Sequence, residues 1–223
     1  MLPIKQYFAS SIGKKQIAAV TGLMLSAFVV IHLLENILLF KGPEVFNAWV
    51  DTLQSTKPFL YIIEIGLLGV FVLHLFTTFK IVVENKRARK KGYKEEGATK
   101  ILVKIMPISG TALLLFLIAH LIDFRFTNHH GPASIVMGND LGLYGLVYNY
   151  FQNIFRVVGY CFGLAALGCH LSHAIQSVFQ TFGIYSEKYN HVIKKTSVGL
   201  ATGLMIGFST IAILIYLGYA PTA

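Results

Sequence analysis

Charged residues are scarce in this sequence, and that shortage limits the kinds of protein it can be. Only 13% of its 223 residues are Asp, Glu, Lys or Arg, whereas 55% are hydrophobic. Because soluble domains carry about 25% charged residues, the composition excludes an ordinary soluble enzyme and favours a protein embedded in lipid. Cysteine is scarce as well: Cys161 and Cys169 stand eight positions apart in one apolar run, which excludes a disulfide framework.

Five apolar stretches are long enough to cross the hydrocarbon core, which is about 30 Å thick and needs roughly 20 helical residues. We therefore predict an all-α integral membrane bundle in a single domain, residues 1–223. Its five transmembrane helices are expected near residues 15–40, 59–83, 105–126, 154–182 and 197–219. The first stretch is interpreted as a retained span, because its apolar part is too long for a signal peptide and no small-residue cleavage site follows.

The basic residues indicate how the chain is oriented in the membrane. Fifteen of the nineteen Lys and Arg residues lie in the N-terminal segment, in residues 80–104 or in residues 185–195. Because basic loops stay on the cytoplasmic side, the N-terminus is predicted to be cytoplasmic and the C-terminus outside. This topology explains the net charge of +9 without a nucleic-acid partner. The connection from Thr127 to Asn153 is predicted to fold over the outer face as an interfacial element with aromatic anchors.

Four of the five predicted spans carry a histidine within their apolar part: His32, His74, His120 and His170. An ionisable residue inside a membrane helix points to a functional site. At a rise of 1.5 Å per residue, His32 and His120 fall in the outer half of the membrane, and His74 and His170 fall in the inner half. The simpler alternative is that each imidazole only hydrogen-bonds to a neighbouring helix.

Two histidines at each of two depths predict two stacked hemes, each with an imidazole on both sides of the iron. Two axial nitrogens on one metal are only about 4 Å apart, so ligands offset by about 10 Å in height cannot share an iron. The outer heme is therefore assigned to His32 and His120, and the inner heme to His74 and His170. An iron with two protein ligands has no open position, which favours electron transfer over oxygen binding. By spacing alone, His173 could take the place of His170.

Three acidic residues are predicted to gather near the outer heme and to hydrogen-bond a quinone: Glu64, Glu35 and Asp123. Glu35 follows His32 by three residues, which places both on one helix face. Glu64 is the first candidate because it lies deepest from a helix end. The alternative for Glu35 and Asp123 is that they are solvated helix ends.

Other polar residues are predicted to lie near the hemes. The candidates for contacting heme propionates are Arg125, Arg156 and His173; the alternatives are topological anchors for the arginines and a helix–helix hydrogen bond for the histidine. The hydroxyls predicted to bond either to ligand imidazoles and propionates or to their own helix are Ser26, Thr77, Thr78 and Ser177. On the fifth span, small residues that favour close helix packing are Gly199, Gly203 and Gly207.

Over essentially its whole length, the chain resembles the single-subunit diheme cytochrome b membrane anchor of succinate:quinone oxidoreductases. The resemblance rests on three segments, SSIGKKQIAAVTGLMLSAFVVIHLLEN, FNAWVDTL and CHLSHAIQSVFQTFG. In that family the fourth helix has a histidine thirteen residues before a glycine, and His170 and Gly183 keep this interval. The resemblance therefore favours His170 over His173 as the ligand.

The resemblance implies two hemes b, menaquinone as the quinone substrate, and a bacterial cytoplasmic membrane location. It further implies two partner subunits, a flavoprotein whose FAD handles succinate and fumarate and an iron–sulfur protein, in a complex that can form a larger oligomer. This chain would be the electron-transfer and quinone-reactive subunit, with no catalytic residue for succinate of its own. Some fumarate-reducing members carry a glutamate two residues before the fourth-helix histidine. Gly168 stands there in this chain, which slightly favours succinate oxidation.

Two other functions are also compatible with histidines on several membrane helices. The first is the cytochrome b anchor of a formate dehydrogenase or hydrogenase, which also uses histidines on several helices. The interval of 42 residues between His32 and His74 and the CHLSH stretch favour the succinate-linked family. The second is a transporter with a histidine-lined path, which is disfavoured because broken helices and paired repeats are not recognisable.

Overall fold

The computed structural model describes residues 4–88, 98–184, 186–219 and 221; for residues 4–5 and 98–104 the description covers the backbone alone. The described residues form eight α-helices: α1 (Ile4–Ala9), α2 (Ser11–Ile37), α3 (Pro43–Ser55), α4 (Lys57–Ala88), α5 (Ala98–His120), α6 (Gly142–Phe151), α7 (Ile154–Thr181) and α8 (Glu187–Tyr216). A two-stranded antiparallel hairpin, β1 (Ile135–Val136) and β2 (Asn139–Asp140), precedes α6. Five helices are long and apolar enough to cross a membrane, which confirms the predicted all-α membrane bundle.

The residues at which the helices begin are set by local hydrogen bonding more than by where the apolar stretches begin. The Ser10 side chain accepts a hydrogen bond from the Gly13 amide at the start of α2, and the Asn153 side chain caps α7 in the same way. Helix α8 begins at Glu187, ten residues before the span predicted from its apolar run, because its polar first turns are helical as well. The basic loop predicted between the second and third spans falls partly on residues 89–97, which lie outside the described residues.

The five long helices do not pack evenly around the bundle. Helix α7 packs along α8, α5 and α2, whereas α4 packs on α2 and, near its start, on α3. Among its described residues, α4 buries only Thr77. Between α4 and α5, no packing as extensive as that of α4 on α2 is found among the described residues. We call this side the open side of the bundle.

One end of the bundle is closed by short elements, and we call it the capped end; the other is the basic end. At the capped end, α3 and α6 enclose a cluster with Leu39, Phe46, Tyr144 and Ile215. Tyr144 is only 1% exposed, and burial raises the pKa of its hydroxyl to about 12. The segment predicted to be an interfacial element closes this end of the bundle, with α6 packed into the cluster, and its location at the membrane interface stays a prediction.

Asn47 of α3 holds α6 in that position. Its side-chain amide donates to the Leu141 carbonyl at 2.8 Å and its oxygen accepts from the Tyr144 amide at 3.2 Å. Leu141 precedes α6, so Asn47 caps this helix from a distant part of the chain. The FNAWVDTL segment thus fixes the position of the cap.

Asp140 organises the turn that leads into α6. Its carboxylate accepts hydrogen bonds from the Ser134 hydroxyl at 2.5 Å, the Gly142 amide at 3.0 Å and His130 Nδ1 at 3.1 Å. These bonds, the one from Ser134 first, lower the pKa of Asp140 to about 2.

Candidate functional site

The capped half of the bundle brings together the two histidines predicted for the outer heme. The ring centres of His32 on α2 and His120 on α5 lie 5.9 Å apart, with the ring planes at 82°. Two imidazoles on one metal need ring centres roughly 6 Å apart, since each nitrogen lies about 2 Å from the metal. The spacing of this pair therefore suits a shared ligand.

Aromatic side chains surround this pair. Phe28 stacks on His32 at 5.5 Å, and Phe208 lies 5.8 Å from the same ring. Around His120 are Phe116, Phe124 and Tyr160, with ring centres 5.4 to 6.1 Å away. Such a lining is apolar and aromatic, as the pockets of planar aromatic cofactors are.

The nitrogens of this pair are poorly satisfied. His120 Nδ1 is buried and has no hydrogen-bond partner within the described part of the chain. The Asn36 amide lies 3.4 and 3.5 Å from the two nitrogens of His32, but it makes its shorter bond, 2.8 Å, to the His32 carbonyl. Because a buried nitrogen without a partner costs about 1–3 kcal/mol, the pair is suited to a ligand that accepts its lone pairs.

Each of the histidines predicted for the inner heme contacts a neighbouring helix through its Nδ1 atom. His74 of α4 crosses to α2, where its Nδ1 lies 3.1 Å from the Thr21 hydroxyl and 3.2 Å from the Ala18 carbonyl. Gly22 leaves room for the ring, because a Cβ at that position would stand only 3.1 Å from His74 Cε1. The imidazole thus lies directly against the α2 backbone.

His170 of α7 is held in the same manner by α5. Its Nδ1 lies 3.1 Å from the Ser109 hydroxyl, and a Cβ on Gly110 would stand 3.3 Å from His170 Cε1. His170 and His74 are close enough to interact electrostatically. Both hydrogen bonds go to Nδ1, which leaves Nε2 of each ring as the nitrogen that the supporting helices do not use.

The residues that hold the inner pair were missed by the sequence reasoning. They are two hydroxyl residues, each followed by a glycine: Thr21 with Gly22, and Ser109 with Gly110. Of the hydroxyls that were predicted, Ser26 and Thr78 bond to carbonyls of their own helices, which was the stated alternative. A hydroxyl–glycine pair opposite each histidine is a signal only once the neighbouring helices are known.

The predicted quinone residue Glu64 forms an ion pair with Arg125. The Arg125 guanidinium donates to Glu64 Oε2 at 3.0 Å, and both side chains are partly exposed. The pair spans the open side, joining α4 to the π-helical turn Leu121–Arg125 that follows His120. Glu35, another candidate, has a carboxylate oxygen 3.8 Å from His32 Nδ1.

Asp123, the third acidic candidate, connects the ends of α5, α6 and α7. Its Oδ2 accepts hydrogen bonds from the Tyr150 hydroxyl at 2.5 Å and the Tyr160 hydroxyl at 2.9 Å. Burial, followed by the bond to Asp123, raises the pKa of Tyr150 to about 12, so this hydroxyl remains a donor at neutral pH. Arg156, a propionate candidate, instead covers the Tyr150 ring at 4.1 Å.

Three further predicted positions lie on α7 and α8. His173 is half-buried and within electrostatic range of Lys194. Gly168 is buried against α8, where a Cβ would meet Met205 Sδ at 3.2 Å, so a side chain at this position would require Met205 to shift by a few tenths of an ångström. The close packing expected of three glycines on α8 holds for Gly207, against Leu33, whereas Gly199 and Gly203 face open space.

Each histidine pair can offer a metal one nitrogen from each of its two rings. No group of three or more His, Cys, Asp or Glu side chains that could hold a metal is found among the described residues. Two imidazoles suit a heme iron, whose other ligands come from the porphyrin, whereas a zinc site takes three or four protein ligands. No protein-family model matches the chain, and no match is found among curated proteins or solved structures.

Proposed function

We propose that this chain is the diheme cytochrome b membrane anchor of a succinate:quinone oxidoreductase. The observation that carries the proposal is that His32 and His120 bring their ring centres to 5.9 Å, while His74 and His170, on two other helices, lie within electrostatic range of each other. One such pair is compatible with ordinary helix packing, but two pairs from four helices suit two iron centres. The resemblance of the sequence supplies the succinate-linked complex.

The side chains of both pairs fit a bis-histidine heme b. At the basic end, His74 and His170 would hold one heme, with Nδ1 of each ring bonded to a hydroxyl and Nε2 left for the metal. At the capped end, His32 and His120 would be the ligands, and the unpartnered nitrogen of His120 supports this assignment. Bound hemes would supply one-electron transfer between the two faces of the membrane.

The acidic residues of the capped half are proposed to serve the quinone, commonly menaquinone in this family. Glu64 remains the first candidate because it lies on the open side, where a lipid-soluble quinone can approach. Its bond to Arg125 holds the carboxylate in place. Asp123 is engaged by two tyrosines and is better placed to anchor the helix ends.

The partner subunits are proposed to dock at the basic end. With the N-terminus in the cytoplasm of a bacterium, this end faces the flavoprotein, with its FAD, and the iron–sulfur subunit. The described basic residues there include Lys188, Lys194 and Lys195 at the start of α8. Electrons would pass between those partners and the membrane quinone.

A heme count on the purified protein tests the proposal. We expect a b-type reduced-minus-oxidised spectrum with two hemes per chain. His74→Ala and His170→Ala should each remove the same heme, whereas His32→Ala and His120→Ala should remove the other. Ser172→Ala is the matched control on α7, because its hydroxyl donates to the Cys169 backbone carbonyl, and it should retain both hemes. Absence of a heme signal from the wild-type chain would refute the proposal.

The identity of the complex needs a separate assay. The chain should co-purify with a flavoprotein and an iron–sulfur subunit that reduce menaquinone with succinate. Coupling to formate or hydrogen instead would assign the same diheme architecture to the alternative family of anchors.

A further inference from the structure

The two inner histidines are supported by the same local pattern on different helices. On α2 the pattern consists of the Ala18 carbonyl, the Thr21 hydroxyl three residues later, and then Gly22. On α5 it consists of the Met106 carbonyl, the Ser109 hydroxyl three residues later, and then Gly110. The hydroxyl contacts Nδ1 of the histidine, and the glycine lets the ring approach the helix.

The hydrogen bonds on α2 determine which nitrogen of His74 carries a proton. The single proton of the Thr21 hydroxyl is donated to the Ile17 carbonyl at 2.6 Å, so towards His74 Nδ1 this oxygen accepts. The Ala18 carbonyl, 3.2 Å from the same nitrogen, is also an acceptor only. Nδ1 of His74 must therefore be the protonated nitrogen, and Nε2 carries the lone pair.

The same reasoning applies to His170. The His170 ring is hydrogen-bonded to the Met106 carbonyl, which can only accept. The Ser109 hydroxyl lies 3.1 Å from His170 Nδ1 with its own proton directed to the same carbonyl at 3.2 Å, so Nδ1 is assigned as the donor. The two nitrogens of an imidazole point in nearly opposite directions, so a ring fixed through Nδ1 presents Nε2 away from its supporting helix. In the capped-end pair, His120 lacks such support, because its Nδ1 has no hydrogen-bond partner in the described residues.

We propose that Thr21 and Ser109 are positioning residues that fix the tautomer and orientation of the two inner histidines, so that both present a bare Nε2 to one iron. This inference rests on the proposed function. Hydrogen-bond acceptors behind ligand imidazoles orient them and make them more basic, and their loss typically costs about 10–100-fold in metal affinity. Both residues are therefore specific to the basic-end heme, although they lie on different helices.

The test removes each hydroxyl with little change in shape, by Thr21→Val and Ser109→Ala. Matched controls are Thr78→Val and Ser172→Ala, because these hydroxyls lie near the same histidines but bond to backbone carbonyls. Heme content, heme affinity on reconstitution and the midpoint potential of each heme are measured. The capped-end heme is identified as the signal that His32→Ala removes.

We expect Thr21→Val and Ser109→Ala each to weaken the basic-end heme by about 10–100-fold, with the capped-end heme unchanged. Where that heme is retained, its midpoint potential should rise, because a less basic Nε2 stabilises oxidised iron less. Thr21→Ser should restore both properties, and the controls should match the wild type. A purely structural role would instead change thermal stability with both potentials unaltered.

Two results would overturn the inference while leaving the proposed function intact: unchanged affinity and potential in both variants, or equal effects on the two hemes. A wild-type chain without heme would instead remove the proposed function on which the inference rests.

Discussion

Adding one methyl group to α2 should disturb the basic-end site without touching a histidine. In Gly22→Ala, the new Cβ would stand 3.1 Å from His74 Cε1. Carbon atoms prefer contacts of about 3.5–4.0 Å, so the ring must move by roughly half an ångström. Functional groups have to be held within about 0.5 Å of their working geometry. We therefore expect about tenfold weaker heme binding at this site.

The glycines of the bundle provide a graded series for this prediction. At Gly110 the corresponding distance to His170 is 3.3 Å, so Gly110→Ala should have a smaller effect on the same heme. Gly66 and Gly69 on α4 have no atom within 4 Å of an added Cβ, and alanine favours a helix by about 1 kcal/mol over glycine. Gly66→Ala should therefore bind both hemes normally.

Heme per chain and the reduced-minus-oxidised spectrum of each purified variant measure the series. The expected order of heme loss is Gly22→Ala, then Gly110→Ala, then the controls. Equal losses in Gly22→Ala and Gly66→Ala would show that the site is insensitive to this contact and refute the reasoning.

Four further predictions concern stability, measured as Tm or as unfolding of the purified protein. Arg125→Gln should lower Tm, because it leaves Glu64 unpaired in a span where a charge costs roughly 2.5–3.5 kcal/mol. Adding Glu64→Gln should recover most of the lost Tm. No recovery would mean that the ion pair is not the cause. Asp123→Leu should destabilise the capped end by about 1–3 kcal/mol for each tyrosine hydroxyl left unsatisfied, and an unchanged Tm would contradict the contacts of its carboxylate. Asn47→Ala should cost about 1 kcal/mol through loss of the α6 cap, seen as faster proteolysis near residue 141; wild-type cleavage would argue against this role. The pKa of Asp140 is about 2, below its usual 3.8, so its contribution to folding stability is complete above about pH 4 and is lost as pH falls towards 2. Asp140→Asn should therefore make the folding stability depend less on pH between about pH 2 and 6. A pH dependence identical to that of the wild type would contradict this prediction.

The five-helix architecture could be predicted because hydropathy depends only on the residues of each span. The ends could not, since the polar first turns of α8 from Glu187 continue a helix that hydropathy does not detect. The connection from Thr127 to Asn153 is predicted at the interface because its Gly, Asn and Tyr content is typical of one. The helix α6 within it could not be predicted, because its position depends on Asn47, almost a hundred residues earlier in the chain, and sequence patterns do not report such a contact.

The histidine pairs could be anticipated for a similar reason. The depth of a residue follows from its distance along a helix, and equal depth is enough to match His32 with His120. The supporting residues depend on which helices are neighbours, and that information is absent from a single sequence. Thr21 and Ser109 became recognisable only when α4 was seen beside α2 and α7 beside α5.

The open side of the bundle has a consequence for assembly. Helix α4 carries one member of the basic-end pair, yet among its described residues it buries only Thr77. Packing against α2 attaches this helix on one side, and a ligand held between His74 and His170 would attach it to α7 as well, so cofactor binding and the docking of α4 would be coupled. Each tenfold gain in cofactor affinity would hold α4 more firmly by about 1.4 kcal/mol when the cofactor is in excess. A bound prosthetic group would therefore stabilise the helix bundle as well as carry out its chemistry.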